Sequence, residues 1–252
     1  MTRARRPLVA SVRILARVLG LAGALLLARA PASGAQNADL PATDWRTYHA
    51  DFEPGEASTP HHPPSAFASG HRWRALRLAP GAGSKELTAQ GVVDLARPGA
   101  ITCWIRPVGW RQPGPSSEYV PVIRVIGSGA AVALVERDRR YAGRDVDVWI
   151  AGFFSLASRS EVQLQRELDS LWTDESWHFV AFQWDATGFS LQLDGGRPAR
   201  MALPGATLAA EFPRQTSTLL IGSGASEGFL VDEVSVWSRP LSQRELSALR
   251  SH

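Results

Sequence analysis

Cysteine is almost missing from this chain of 252 residues: Cys103 is the single one. No disulfide can therefore form within it, which excludes the stapled scaffolds typical of small exported domains. A chain of this length can bury a sizeable core without a staple. Cys103 alternates with Ile101 and Ile105, which places it on an apolar strand face as a small buried side chain. Nothing in the sequence supplies the basic partner that a nucleophilic thiol needs. Long apolar runs are missing too. The longest, Val18 to Ala28, falls short of the roughly 20 residues of a membrane span. Lysine is nearly absent, with Lys85 alone among many arginines. Helical periodicity is also scarce.

Residues 1–35 read as a signal peptide. Arg3, Arg5, Arg6, Arg13 and Arg17 form a basic start, the apolar run follows, and Ser33 and Ala35 suit cleavage before Gln36. An uncleaved anchor beginning near Leu8 would carry Arg13 and Arg17 towards the bilayer. Arg5-Arg6-Pro7-Leu8-Val9 resembles a twin-arginine signal in part, and general export is the simpler reading. The expected location is thus secreted, periplasmic or in the cell envelope, with no stable membrane span after cleavage. Removing these residues, which include Arg29 and no acid, turns the formal net charge from +3 to about −3. A mildly acidic mature chain has no general electrostatic reason to hold nucleic acid.

Residues 36–44 read as a linker and 45–252 as one domain. Glu53 to Ser69, rich in Pro, Ser, His and Gly, suits a surface loop. From Arg72 onward, short alternating runs recur between turn-forming clusters. They are Arg72–Leu78, Ile101–Arg106, Tyr119–Ile126, Ala130–Glu136, Val146–Phe153, Glu161–Arg166, Trp177–Trp184, Phe189–Leu193, Thr218–Ile221 and Phe229–Trp237. This predicts an all-β fold, an antiparallel two-sheet β-sandwich with a short C-terminal helix. Trp177–Trp184 is apolar on both faces, as a central strand would be. In Phe189–Leu193, Ser190 and Gln192 alternate with apolar residues, which predicts one exposed face. Asp194-Gly195-Gly196 supplies the positive-φ residues of a tight reversal. Ser242 and Glu245 form a capping box, with Leu241 and Leu246 placed as a hydrophobic staple. The helix is too short to stand alone and should pack on the sandwich through Leu241, Leu246 and Leu249.

The order of several motifs resembles a known family. Tyr48-His49-Ala50-Asp51-Phe52 resembles its opening strand, and Gly99 to Pro107 resembles a Gly-Thr-Ile-x-x-Trp-Ile-x-Pro strand. Trp177-His178-Phe179-Val180-Ala181 resembles Trp-His-His-Val-Ala. Leu191-Gln192-Leu193-Asp194-Gly195 resembles the Leu-Tyr-Val-Asp-Gly hairpin, with Gln192 where the family often has Tyr. Ile221-Gly222 and Val231-Asp232-Glu233-Val234, running on to Glu245, resemble the close. Together they resemble a laminin-G-like jelly roll of the concanavalin A-like lectin and glucanase superfamily, over roughly Tyr48 to Leu249. The resemblance implies architecture rather than activity.

That superfamily includes hydrolases and lyases, so catalysis must be weighed. Glycosidases need two carboxylates facing one cleft. Glu136-Arg137-Asp138 is the nearest approach to the Glu-x-Asp-x-x-Glu or Glu-x-Asp-x-Glu of laminarinase-like hydrolases. Arg139-Arg140 follow with no second Glu, and the segment reads better as a solvated hairpin tip where a strand runs out. Asp145 and Asp147 share a strand face beside Arg144, the common pattern of a paired charge cluster. A lyase would want Tyr, His and Arg together, and no motif organises Tyr48, Tyr119 and Tyr141. The expectation is a non-enzyme. No cofactor is required. The resemblance makes Ca²⁺ an option, with Asp51, Glu53 and Asp232 as contributors, against the plainer reading that these acids cap turns and pair with arginines; a full set of six to eight oxygens is not visible in the sequence. His61-His62 lies among prolines without a zinc-like spacing.

Nine tryptophans invite a sugar-stacking reading. Trp104, Trp177, Trp184 and Trp237 sit in strand patterns and read as core. Trp110, Trp149 and Trp172 are the candidate ligand platforms, against the plain alternative that large aromatics fill cores. The expected function is a binding module for carbohydrate or another cell-surface ligand. The alternatives are an adhesion protein contacting protein partners and an enzyme with an unfamiliar acid/base pair.

Overall fold

The computed structural model describes residues 40–53, 67–78, 86–108, 110, 119–127, 132–138, 148–155, 160–168, 172, 176–203, 217–222 and 228–251. All lie within one compact unit, Asn37–His252. After a short turn at Thr43–Trp45 come β1 (Arg46–Ala50), β2 (Phe67–Ser69), β3 (Arg74–Leu78), β4 (Glu86–Gln90) and β5 (Gly99–Val108). They are followed by β6 (Tyr119–Ile126), β7 (Val132–Asp138), β8 (Val148–Ser155), β9 (Ser160–Glu167) and β10 (His178–Asp185). The chain closes with β11 (Gly188–Leu193), β12 (Ala199–Ala202), β13 (Thr218–Gly222), β14 (Gly228–Trp237) and α1 (Gln243–Ser251).

The strands form two antiparallel sheets, as the alternation predicts. One runs β12-β11-β10-β5-β14-β3-β2, with β1 also on β14; the other runs β4-β13-β6-β7-β8-β9. Between them lies the main core, drawn from alternate positions such as Ile101, Cys103 and Ile105 of β5 and Val180, Phe182 and Trp184 of β10. The opposite face of the larger sheet carries a second apolar cluster. Ala100, Trp104, Phe179, Ala181 and Trp237 pack there against Leu241 and Leu246, with Leu249 alongside. The central-strand reading of β10 therefore holds: both of its faces are covered.

The helix anchors as its sequence dictates. Ser242 N–H donates to Glu245 Oε2 at 2.8 Å and Glu245 N–H donates to Ser242 Oγ at 3.3 Å, closing the capping box. Asp194 and Gly195 turn the β11–β12 hairpin at φ of 50° and 70°. Asp194 also accepts the Phe179 N–H and pairs with His178 Nδ1, both at 2.8 Å, which joins the Trp-His and Asp-Gly motifs physically.

Three expectations are corrected. Phe67–Ser69, at the end of the expected loop, is strand β2. The face of β11 expected to be open is closed, because α1 covers it and Gln192 exchanges amide hydrogen bonds with Gln243. Glu136-Arg137-Asp138 is not a hairpin tip: β7 continues to Asp138, paired on both sides.

Candidate functional site: the turn held by Asp232

Strand β14 changes neighbour part-way along its length. Phe229–Val231 pair with β3, whereas Val234–Trp237 pair with β1. The register with β5 shifts between Asp232 and Ser235, and Glu233 takes a φ of 50°, the signature of a bulge. A gap between β1 and β3 leaves backbone N–H groups without a ladder partner, and buried donors must find acceptors.

Carboxylates fill that gap. Asp232 is buried, and its Oδ2 accepts the N–H of His71 at 2.8 Å and of Arg72 at 3.3 Å. Its Oδ1 accepts the Glu233 N–H at 2.8 Å. Glu53 Oε1 accepts the Arg74 N–H at 3.1 Å, and Asp51 Oδ1 accepts the Glu53 N–H at 3.1 Å. The chain from the β2–β3 turn into the start of β3 is thus tied down at three donors, His71, Arg72 and Arg74. Gly70 is required there by close approach: a Cβ would stand 2.6 Å from Asp232 Oδ2 and 2.5 Å from the Arg74 carbonyl.

Stacking fixes the flanks of the turn. His71 lies flat on Trp104 with centroids 3.8 Å apart, and Trp177 meets it edge-on at 6.1 Å. The Arg74 guanidinium sits 4.2 Å above the Phe67 ring. Trp73, between them, is 75% exposed. Arg72, beside it, lies 3.6 Å from Glu233. The result is a held turn that presents one large aromatic to solvent.

The electrostatics follow from burial. It pushes the Asp232 carboxyl up to about 7, and the neighbouring Glu233 adds to the rise, while the N–H donors of Arg72, Glu233 and His71 oppose it. Burial and then the charge of Arg72 lower the His71 imidazole. Ser235 Oγ stands 2.9 Å from His49 Nδ1, which superficially resembles a nucleophile and base. Ser235 is only 4% exposed, and His49 Nε2 is 3.8 Å from Asp51 and 3.7 Å from Glu233, too long for orienting hydrogen bonds.

Asp51, Glu53 and Asp232, read from the sequence as contributors to a Ca²⁺ site, each accept backbone N–H groups: of Glu53, of Arg74, and of His71, Arg72 and Glu233 in that order. Among the described residues, no group of three or more His, Cys, Asp or Glu side chains is arranged to hold a metal. The tryptophans expected as platforms lie elsewhere. Trp110, Trp149 and Trp172 are buried in the main core, Trp149 completely. Trp149 packs against Trp110 at 6.1 Å and Trp172 at 4.5 Å. The expectation of open aromatic faces is corrected, because these rings fill the space between the sheets. Asp145, Asp147, His61 and His62 lie outside the described residues.

The comparisons bear on this two-sheet sandwich as a fold. The model of the Concanavalin A-like lectin/glucanases superfamily, a laminin G family, matches residues 82–247, and the chain belongs to that family. Among solved structures, the chain is similar to the binding domain of botulinum neurotoxin DC in complex with rat synaptotagmin II. That likeness has 10% identity and a TM-score of 0.59, covering 83% of this chain and 52% of that one. The binding domain of Paraclostridial Mosquitocidal Protein 1 is similar at 11% identity and a TM-score of 0.57, covering 82% and 52%. The neurotoxin DC binding domain in complex with SialylT gives 10%, 0.56, and 83% and 52%. This chain thus spans about half the length of these structures, and the likeness is one of fold. No curated protein matches the chain.

Proposed function

We propose that this chain is an exported, non-catalytic binding module that engages carbohydrate or another extracellular ligand through the Trp73 turn. The observation that carries the reading is the exposure of Trp73 on a backbone braced by Asp232 and Glu53. An aromatic held in place binds with little ordering cost, and exposed Trp beside Arg is a frequent centre of binding energy. The fold neighbours include binding domains in complex with a protein and with SialylT, which supports a contact role for this fold. Export rests on the basic, apolar and small-residue pattern of residues 1–35.

The direct test is binding of the purified protein to a panel of polysaccharides and glycans, each with Ca²⁺ and with EDTA. Saturable binding that Trp73→Ala weakens supports the module, and loss in EDTA adds a metal. Turnover of a panel member would instead establish an enzyme. A protein partner is the second reading, favoured by Trp73 and Arg72 as residue types enriched at protein interfaces. Binding to envelope protein without any glycan binding would select it.

A further inference from the structure

A separate feature lies on the outer face of the larger sheet, where β10, β11 and β12 meet the start of α1. Gln183 of β10 is the register partner of Ser190 of β11, and Ser190 is the register partner of Arg200 of β12. Three polar side chains therefore form one rung across three adjacent strands. Sequence alternation alone would leave Ser190 in water. Here Gln183 is 9% exposed and Ser190 7%, because the chain leading into α1 folds over them. Gln183 Oε1 accepts the Leu241 N–H at 2.6 Å, which turns the amide NH₂ away from that bond.

Between this rung and the covering chain is a cavity of about 200 Å³, walled by Pro198 and Pro240. At its rim Arg200 donates to Asp185 Oδ2 and to Thr187 Oγ1, both at 2.6 Å. Asp185 is itself held by the Thr187 N–H at 2.7 Å. Buried polar groups cost free energy unless partnered, and this cavity gathers an amide donor, a hydroxyl and a guanidinium around apolar proline walls.

Charge and size then select the ligand. The one acid and one base at the rim neutralise each other, so neither an anion nor a cation is favoured. The volume is below the roughly 300–1,000 Å³ of sites for drug-sized ligands. What matches is a small neutral body with several hydroxyls and an apolar face. We infer that the Gln183–Ser190–Arg200 rung is the floor of a subsite for a single neutral sugar ring. The inference rests on the binding-module reading and supplies a ligand class for it at a second place on the fold. Gln183 and Arg200 donate to ring hydroxyls, Ser190 accepts or donates, and Pro240 covers the C–H face.

The test uses the whole protein with glucose, galactose, mannose and N-acetylglucosamine, titrated singly and followed by amide shifts in heteronuclear NMR. The expected result is saturable binding of at least one sugar in the millimolar range, with shifts confined to β10, β11, β12 and the start of α1. Arg200→Ala, at a half-exposed side chain whose loss leaves the core intact, should weaken it about tenfold, the scale of one charge-assisted hydrogen bond. Ser190→Val should weaken it similarly by removing the hydroxyl. If Arg200→Ala and Ser190→Val both leave sugar affinity unchanged, the subsite is overturned. It is equally overturned if no neutral sugar shifts these amides in folded protein. In either case, polymeric glycan binding that depends on Trp73 would leave the module reading standing.

Discussion

Asp232 and His71 are 161 positions apart in sequence, yet the buried carboxylate accepts the histidine backbone N–H at 2.8 Å. That bond closes the gap left where β14 exchanges β3 for β1, and it fixes the turn from which Trp73 projects. Asp232→Ala should leave the His71, Arg72 and Glu233 N–H groups without this acceptor. The expected cost is about 3 kcal/mol, from one or two buried unsatisfied donors, measured as a lowered denaturant midpoint at unchanged slope.

The same carboxyl predicts a pH dependence. Its folded value of about 7 lies above the ordinary 3.8, so the folded state holds a proton that the unfolded chain has released. Stability from this group is complete below about pH 4 and is lost as pH rises towards 7. Urea unfolding across that range should show the fall in the native protein and a flatter profile in Asp232→Asn. A native profile that rises through this window would contradict the assignment.

At the C-terminus the sign is opposite. Hydrogen bonding from Arg239 is the main reason the Glu245 carboxyl lies at about 2 rather than 4.5, with further help from Ser242. Its contribution is present above about pH 4.5 and is lost as pH falls towards 2. Ser242→Ala should cost about 1 kcal/mol through the cap, and Glu245→Gln should reduce the acid sensitivity.

Cys103 should be chemically silent while the protein is folded. It is fully buried and burial pushes its thiol up to about 12, which removes the reactive thiolate. A thiol reagent should react only at the rate of unfolding. Rapid labelling of native protein would refute its place between the sheets.

Two tryptophans separate structure from contact. Trp149→Ala empties a completely buried site and should cost roughly 3–5 kcal/mol. Trp73→Ala removes a ring that is mostly in water and should change the denaturant midpoint little.

Local signals made much of the fold legible. Asp194-Gly195 announces its hairpin, and Ser242 with Glu245 announces the helix, because the interactions lie within a few residues. The Trp73 turn is hidden for the opposite reason. Alternation in Arg72–Leu78 assigns Trp73 to a strand, and only the distant Asp232 shows that the strand begins at Arg74. Likewise Ser190 and Gln192 read as open to water, since nothing local reveals that α1 folds across them. Trp110 and Trp172 lie outside the regular strands, and alternation says nothing about which way such side chains turn. The acids Asp51, Glu53 and Asp232 read as candidate ligands, but their partners are backbone groups that a sequence does not display.

The most direct measurement is a comparison of two exposed tryptophans in binding the strongest ligand from the glycan panel. Trp45 is 48% exposed and lies beneath Arg239, away from the held turn, so Trp45→Ala controls for loss of an exposed aromatic. The account predicts that Trp73→Ala weakens binding by about 2 kcal/mol, roughly thirtyfold, while Trp45→Ala leaves affinity within a factor of about two. Equal affinities for the native protein and Trp73→Ala, both shown to be folded, would contradict it.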